Sequence, residues 1–489
     1  MKNKIKKFNL VFLPAISMLV ISGCSKLLDQ QPVTQVVTNT TSSAAISASQ
    51  AEDLLQGEYT AEIGYSYGLE FNVLDRITNG DVWSDNCYAG GDNAANITID
   101  LFSANSLNDN IRRDWADAFG IIGNINIAIP QIQACSDPAL SATRKAQILG
   151  ESRFMRAFTY FDMVRLFGRL PIILQPADLT NSESLIKSTF VPQSSVDSVY
   201  DAILQDLWYA KDNVQDDNVP PNKMVVTKGA VNSILAKVYA SMPTPNWDSV
   251  AYYCDKVIPG YTLVPDFNFL WDNNHKNNSE AIWEFNYEGW NVIGNWIPSQ
   301  FIGDGWKKFS TPTNDLVNTF RAEGDSVRLH ASITFVNYGW SDPYWKDPTA
   351  YPILSKYNDP NNGTNDFYAI RLADILLLRA EAYNNANDIN DAATLVNKVR
   401  NRVGLPNTTA ATQTDMAMAI STERRLELAF EGQRRFDLIR TGKAIDVMNA
   451  QKDGAGNNLN YNVQPDELIY PVPQQQLDLN PKLVQNPGY

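Results

Sequence analysis

Histidine is almost absent from this 489-residue chain, and the two present, His275 and His330, are too few for a histidine-rich metal site. Cysteine is scarce as well. Cys24, Cys87, Cys135 and Cys254 are scattered, which excludes a disulfide scaffold and a Cys-x-x-Cys metal site. Positive charge is in deficit: 40 Lys+Arg against 54 Asp+Glu leave a net −14, the wrong sign for a nucleic-acid or anionic-membrane surface. Beyond the first two dozen residues no stretch is long and apolar enough to span a bilayer. What is present is a composition of 44% hydrophobic and 11% aromatic residues, ample for a large packed core. Length alone suggests about three domains, a prior that repeat architectures break.

The first residues read as an address. Lys2, Lys4, Lys6 and Lys7 precede an apolar run from Leu10 to Ile21, and Ile21-Ser22-Gly23-Cys24 then matches a bacterial lipobox. Small residues there admit the signal peptidase, and the Cys24 thiol receives diacylglycerol. Residues 1–23 are thus expected to be a signal peptide, and residues 24–50, rich in Gln, Thr and Ser, a lipid anchor and spacer. The remaining three cysteines could form at most one pair.

From 51 onwards helical periodicity dominates. Phe154, Ala157, Phe158, Phe161 and Val164 fall at i, i+3, i+4, i+7 and i+10 within 145–167. Ala392, Leu395, Val396, Val399 and Val403 make one stripe over 390–403, with Asn390 as N-cap and Gly404 and Pro406 as stop. Further helices are expected at 51–65, 109–134, 195–213, 228–241, 246–258, 369–386 and 415–431. They group as helix-turn-helix pairs: 51–65 with 109–134, 145–167 with 195–213, 228–241 with 246–258, and 369–386 with 390–403. Small-to-aromatic spacings such as Ala157 to Phe161 fit tetratricopeptide units, although the 34-residue period is irregular.

Two insertions, 66–108 and 259–368, interrupt the pairs. Both are rich in Gly, Asn, Asp and aromatics and read as loops with short strands, on the ligand side. Seven of the eleven tryptophans lie between Trp271 and Trp345. Trp283, in a strand-like run, and Trp271, beside Phe267, Phe269 and Leu270, belong to the core. The others are flanked by Gly, Asn, Asp and Ser and have no helix face to bury against. Such rings can stack on the C–H face of a sugar while neighbouring amides bind hydroxyls. The expected ligand contacts are Trp83, Asn86, Tyr88, Trp290, Trp296, Trp306, Trp340 and Trp345.

Catalytic patterns fail. Gly64-Tyr65-Ser66-Tyr67-Gly68 matches a nucleophile elbow, but that chemistry needs a strand before the serine, and 51–63 reads as helix. No HExxH, Walker A or Rossmann glycine pattern occurs, and no two carboxylates stand out as a glycosidase pair. Asp359-Pro360-Asn361-Asn362-Gly363 is a loose calcium-loop match with its glycine at position five instead of six, so a structural calcium has no support and no cofactor is expected. The charged stretch Thr422–Arg440 carries nearly matched acids and bases and reads as an ion-paired helix end, through Glu431 with Arg435 and Arg424 with Glu427.

Several stretches together resemble the SusD/RagB family of outer-membrane glycan-capture lipoproteins. They are Cys24-Ser25-Lys26-Leu27-Leu28-Asp29, Arg153-Phe154-Met155-Arg156-Ala157-Phe158 with Leu166-Phe167-Gly168, and Tyr261-Thr262-Leu263 followed by Ser279-Glu280-Ala281-Ile282-Trp283-Glu284. Arg371–Glu381, Glu423-Arg424-Arg425 through Leu438, and the tail Asn480–Tyr489 continue the match over essentially the whole mature chain. The resemblance implies a mostly α fold in which four tetratricopeptide-like helix pairs form an α-α superhelix cradling an irregular part with short β-strands. The repeat frame would occupy 51–65, 109–258 and 369–403 of a single domain over 51–489, with a C-terminal helix and extended tail at 404–489. It also implies no catalysis, a lipid-anchored place on the cell outer membrane, and a SusC-like TonB-dependent transporter as partner. Glycan contacts in the family come from the two insertions, but no contact residue carries over one by one. Two other readings stay open: peptide capture within the same system, and a lipid-anchored carbohydrate-active enzyme.

Overall fold

The helix Ala142–Phe167 is buried around nearly its whole circumference and organises the rest. Ser141 caps its start by accepting from the Arg144 amide, and Gly168, at φ +71°, turns the chain away at its end. The computed structural model describes residues 46–217, 222–301 and 307–489; these lie in one compact unit that begins at Ala44. The expected signal peptide, the lipidation at Cys24 and the spacer to about residue 45 fall outside the described residues.

All four expected helix pairs are present. Ala48–Ile63 packs on Asp109–Ala134, Ala142–Phe167 on Val196–Asn213, Lys228–Ser241 on Trp247–Val257, and Leu372–Asn385 on Ile389–Arg402. Successive pairs also touch, so that each covers the apolar stripe its neighbour leaves open. Boundaries follow local capping: Ser47 and Gln50 form a reciprocal capping box, and Asn108, Ser195 and Asn246 each accept an amide of the first turn. One cap differs from expectation, since Asp388 and not Asn390 starts the last helix of the frame. The segment 415–431 is helical over Gln413–Glu427 and then turns through Phe430 and Gly432, both at positive φ.

Among the described residues, four two-stranded antiparallel ribbons accompany the helices. They pair Cys87–Tyr88 with Thr311–Pro312, Leu170–Pro171 with Gln193–Ser194, Ala281–Phe285 with Phe367–Arg371, and Ile333–Val336 with Tyr351–Leu354. Trp283 sits at the junction, with Phe154 and Phe158 edge-on to its ring at 4.9 and 4.8 Å and its indole N–H donated to the Met224 carbonyl. Trp283 and Trp271 are core, as their context predicts.

The first insertion departs from the expected loop. Leu69–Leu74, Asp75–Ile77 and Thr78–Val82 run on as one helical segment whose first and last stretches have the wider π turn, with Trp83 as its C-cap. Its polar residues are buried partners instead of solvated loop: Asn79 donates to Asp114, and Arg76 pairs with Asp162. Gly80 is required by close approach, because a Cβ there would lie 2.3 Å from the Gly432 carbonyl carbon.

The charged stretch 422–440 is structural, but neither expected pair forms; the pair along a helix there is Asp437 with Arg440. Glu431 takes Lys356 and Arg371 in place of Arg435, and Arg424 takes Asp374 and Asp437 in place of Glu427. Glu427 meets Arg328, Arg371 and Arg402, while Glu280 also holds Arg371 and Arg402. These groups are nearly or wholly buried, and burial, against the opposing pull of Glu431, pushes Lys356 down to about 8. Within such an interior, satisfied charges fix geometry more than they add net stability.

Candidate functional site

Residues on the insertion side form two separate aromatic groups. In the first, the Trp290 and Trp296 rings meet edge to face at 5.4 Å, and they remain 36% and 39% exposed. The loop that carries them is tied to a second loop by backbone bonds, Trp290 N–H to the Asn362 carbonyl and Asn295 N–H to the Gly363 carbonyl. Gly294 and Gly363 both press on the Trp290 ring, since a Cβ on either would fall within 2.7 Å of a ring carbon. The Tyr65 hydroxyl accepts the Gly294 amide at 3.0 Å, and its own ring is half exposed. The result is a rigid, open cluster of three rings held by backbone and glycine.

The second group is built around Asp342. Its Oδ2 accepts from the Tyr88 and Tyr351 hydroxyls, both at 2.7 Å, and its Oδ1 accepts the Tyr344 and Trp345 amides. Burial pushes the Tyr88 phenol upward, so it stays a donor. Tyr88 stacks on Tyr344 at 3.8 Å, and the Trp340 ring tilts over Tyr351 at 5.0 Å. Tyr338 lies parallel to Trp340 at 5.0 Å, both half-buried. The ribbon Cys87–Tyr88 with Thr311–Pro312 is what brings the two insertions together here.

The expected contacts therefore divide. Trp290 and Trp296 present ring surface, whereas Trp340 is half-buried, with the Tyr338 ring parallel to it at 5.0 Å and the Lys308 ammonium over its face at 4.2 Å. Trp83 does not: it is 1% exposed, with Phe102 edge-on at 4.9 Å and the Arg435 guanidinium at 4.5 Å. Asn86 is also enclosed, its amide spent on Asp81 and its carbonyl oxygen on Arg425, and Tyr88 is buried as well. Trp345 is half-buried against the core and donates its indole N–H to the Ala350 carbonyl, while Trp306 lies outside the described residues. No ring contact joins the two groups among the described residues. Tyr65 and Tyr338 escaped the sequence reading; the Tyr338-Gly339-Trp340 triplet was the available signal for the second.

The catalytic and metal patterns find no supporting geometry. Ser66 follows the helix Ala48–Ile63, and no strand feeds it. The His275 ring bonds Asp272 and the His330 ring bonds the Ser326 carbonyl. Asp359 spends its carboxylate on Asn362 and Thr364 of its own loop. Among the described residues no group of three or more His, Cys, Asp or Glu is arranged to hold a metal, and Cys87, Cys135 and Cys254 are buried free thiols. Among the described residues two buried carboxyl pairs are in hydrogen-bond contact, Glu284 with Asp366 and Asp114 with Asp75; burial and then the partner's charge push Glu284 and Asp114 well above the usual carboxylate range. Glycosidase carboxyls stand about 5–9.5 Å apart, so neither pair has that spacing.

Two family models match the chain: the SusD family over residues 337–489, and a SusD-like family described as starch-binding associating with outer membrane over 27–240. Among curated relatives, SusD-like protein P38 of Formosa agariphila is 27% identical over 99% of this chain and all of its own length. A SusD-like protein of Bacteroides ovatus is 24% identical over 87% of this chain and 81% of its own. Among solved structures, a laminarin-binding SusD-like protein superposes with a TM-score of 0.74 at 25% identity, covering 91% of this chain and 100% of that one. Surface glycan-binding protein A from Bacteroides fluxus does so with 0.74 at 22%, over the same shares. The chain belongs to the SusD/RagB family.

Proposed function

We propose that the protein is a non-catalytic, glycan-binding lipoprotein of the outer membrane that passes oligosaccharides to a SusC-like TonB-dependent transporter. The observation that carries this reading is the Trp290–Trp296 pair. Burying a large apolar side chain is worth roughly 1.5–3 kcal/mol, yet two indoles on a loop tied by backbone bonds, Trp290 also pressed by Gly294 and Gly363, stay more than one-third in solvent. A rigid exposed aromatic loses little entropy when a sugar face stacks on it. Relatives named for laminarin binding and surface glycan binding share the fold over nearly the whole chain. Outer-membrane placement rests on the lipobox at Cys24 and on the outer-membrane association for which the family matched over 27–240 is named.

Non-catalysis is supported by the direct contact within both buried carboxyl pairs, Glu284 with Asp366 and Asp114 with Asp75, and by the helix that precedes the serine motif. Titration calorimetry of the full chain in neutral detergent against a panel of polysaccharides tests the reading. Saturable heat with at least one glycan, without release of reducing ends, is the expected result. No binding to any glycan, or hydrolysis of one, overturns it. Recovery of a large β-barrel with the tagged protein from its native host tests the transporter partnership.

A further inference from the structure

Resting on the glycan-binding reading, we infer that Asp366 and Glu284 are positioning residues for the Trp290–Trp296 cluster: one proton shared between them clasps the two loops that hold the indoles, and glycan affinity depends on it. Glu284 lies on the strand Ala281–Phe285, and Asp366 stands immediately before the partner strand Phe367–Arg371. The loop that carries Trp290 and Trp296 leaves the first strand through Asn286 and Tyr287. Asp366 accepts from both, the Tyr287 backbone N–H at 2.7 Å and the Asn286 side-chain amide at 2.8 Å. The second loop runs directly into Asp366. Its Asn362 and Gly363 carbonyls receive the Trp290 and Asn295 backbone amides, and its Asn365 carbonyl receives the Asn295 side chain. Lys276 closes the same junction by donating to the Tyr287 and Thr364 carbonyls and to Asp366. Both loops are therefore rooted at this carboxyl pair.

Glu284 is 0% and Asp366 9% exposed, and their direct hydrogen-bond contact requires a proton between them. Burial and then the Asp366 charge hold that proton on Glu284 well above the usual carboxylate range. With it in place Glu284 donates to Asp366, which keeps its other lone pairs for Tyr287, Asn286 and Lys276. Once it is lost, two anions share one contact beside one ammonium, and they repel at the strand ends that set both loops. The phenols of Tyr287 and Tyr368, also turned toward the pair, are pushed well up by burial first and by the pair's own charge second, so they keep their protons. The adjoining cavity adds Asp272, which holds the His275 ring, and the Tyr357 hydroxyl, which donates to the Phe430 carbonyl. A neutral sugar stacked on an indole brings no titratable group of its own, so a pH dependence of its binding reads the support and not the contact.

The test uses the full-length protein in neutral detergent with laminarin or, if laminarin is silent, the neutral polysaccharide that gives saturable heat in the wider panel. Between about pH 6 and pH 10 wild-type affinity should fall roughly five- to tenfold as the shared proton is lost. In E284Q an amide N–H stands in place of that proton, and in D366N an amide N–H faces the Glu284 carboxylate. Whatever their absolute affinities, both profiles should be flat to within about twofold, with melting curves at each pH establishing folded protein. Hydrogen exchange at the Trp290 and Asn295 amides, corrected for the intrinsic rate at each pH, reads the clasp without any sugar. Protection there should drop in the wild type over the same range and hold in E284Q. If wild-type protection and affinity ignore pH, or if both variants follow the wild-type profile, the pair does not position the cluster, while glycan capture stands. If no polysaccharide binds, the glycan reading falls, and exchange at the two amides alone decides the clasp.

Discussion

The Arg435 guanidinium lies 4.5 Å from the centre of the Trp83 ring and, on another side, 4.1 Å from that of Tyr470. The cation is buried, donates to the Leu468 carbonyl, and has its pKa lowered by desolvation. Trp83 is thus a structural partner of a buried arginine. Trp83→Ala should cost roughly 3–5 kcal/mol, by opening a cavity and stripping Arg435 of its aromatic neighbour. Denaturant melts should show the loss, and the fraction that stays folded should bind glycan as the wild type does.

Trp296→Ala should do the reverse. Its ring is 39% exposed, so melting should shift little while glycan affinity falls about two- to tenfold, or roughly 0.5–1.5 kcal/mol of stacking. Trp290→Ala should lose affinity too, with a larger melting change because Gly294 and Gly363 rest on its ring. Calorimetry beside differential scanning separates the two effects. Unaltered binding in both variants would remove this cluster from the site.

Glu427 accepts from Arg328, Arg371 and Arg402 in the buried charge network. Glu427→Ala leaves three buried cations short of a partner, and removing one member of a buried pair typically costs about 3–5 kcal/mol. Urea titration should find a shift of that order. A change under about 1 kcal/mol would mean that the other carboxylates absorb the deficit.

Burial pushes the Glu62 carboxyl up to about 8 and the Asp100 carboxyl up to about 7. Both folded values lie above the unfolded ones, so the stability they contribute is complete below about pH 4 and is lost as pH rises to 7–8. Over that window the folded state holds protons that the unfolded state has released. Glu62→Gln and Asp100→Asn keep a neutral side chain in place, and each should flatten the fall in melting temperature between pH 5 and 8. An identical slope in both variants would contradict the assignment.

Cys24→Ala should move the protein from the membrane to the soluble fraction, because no helix among the described residues is long and apolar enough to cross a membrane. Fractionation of cells without the transporter is the check; retention at the membrane would remove the lipid anchor from the account.

The helical frame was legible because its signal is local and repeated. The stripe from Phe154 to Val164 needs only the 3.6-residue period, and Ser47, Asn108 and Ser141 mark starts by capping chemistry that sits within three residues. The region around Trp83 was misread for an equally physical reason. Asn79, Asp81, Asp85 and Asn86 look like loop residues, yet each is the buried partner of a group more than thirty residues away, such as Asp114, Gly432, Arg434 and Arg425. Against the upward push of burial, Arg425 and Arg434 hold Asp85 down to about 2, and nothing local announces that pairing. The same holds for Glu431, whose i+4 neighbour Arg435 is oriented toward Trp83 and Tyr470 instead.

The charge network also bears on time. Arg371 bonds Glu280, Glu427 and Glu431, while Arg328 bonds Glu423 and Glu427, so each link closes a loop of more than fifty residues. Such contacts are the slow ones to make, since long loops must close before any link is rewarded. They are slow to break as well: an escaping segment strands bare charge in a medium that cannot solvate it until water enters. The protein's persistence is therefore governed by an unfolding rate as much as by an equilibrium, and a half-life under protease is the quantity in which the network's value is expressed.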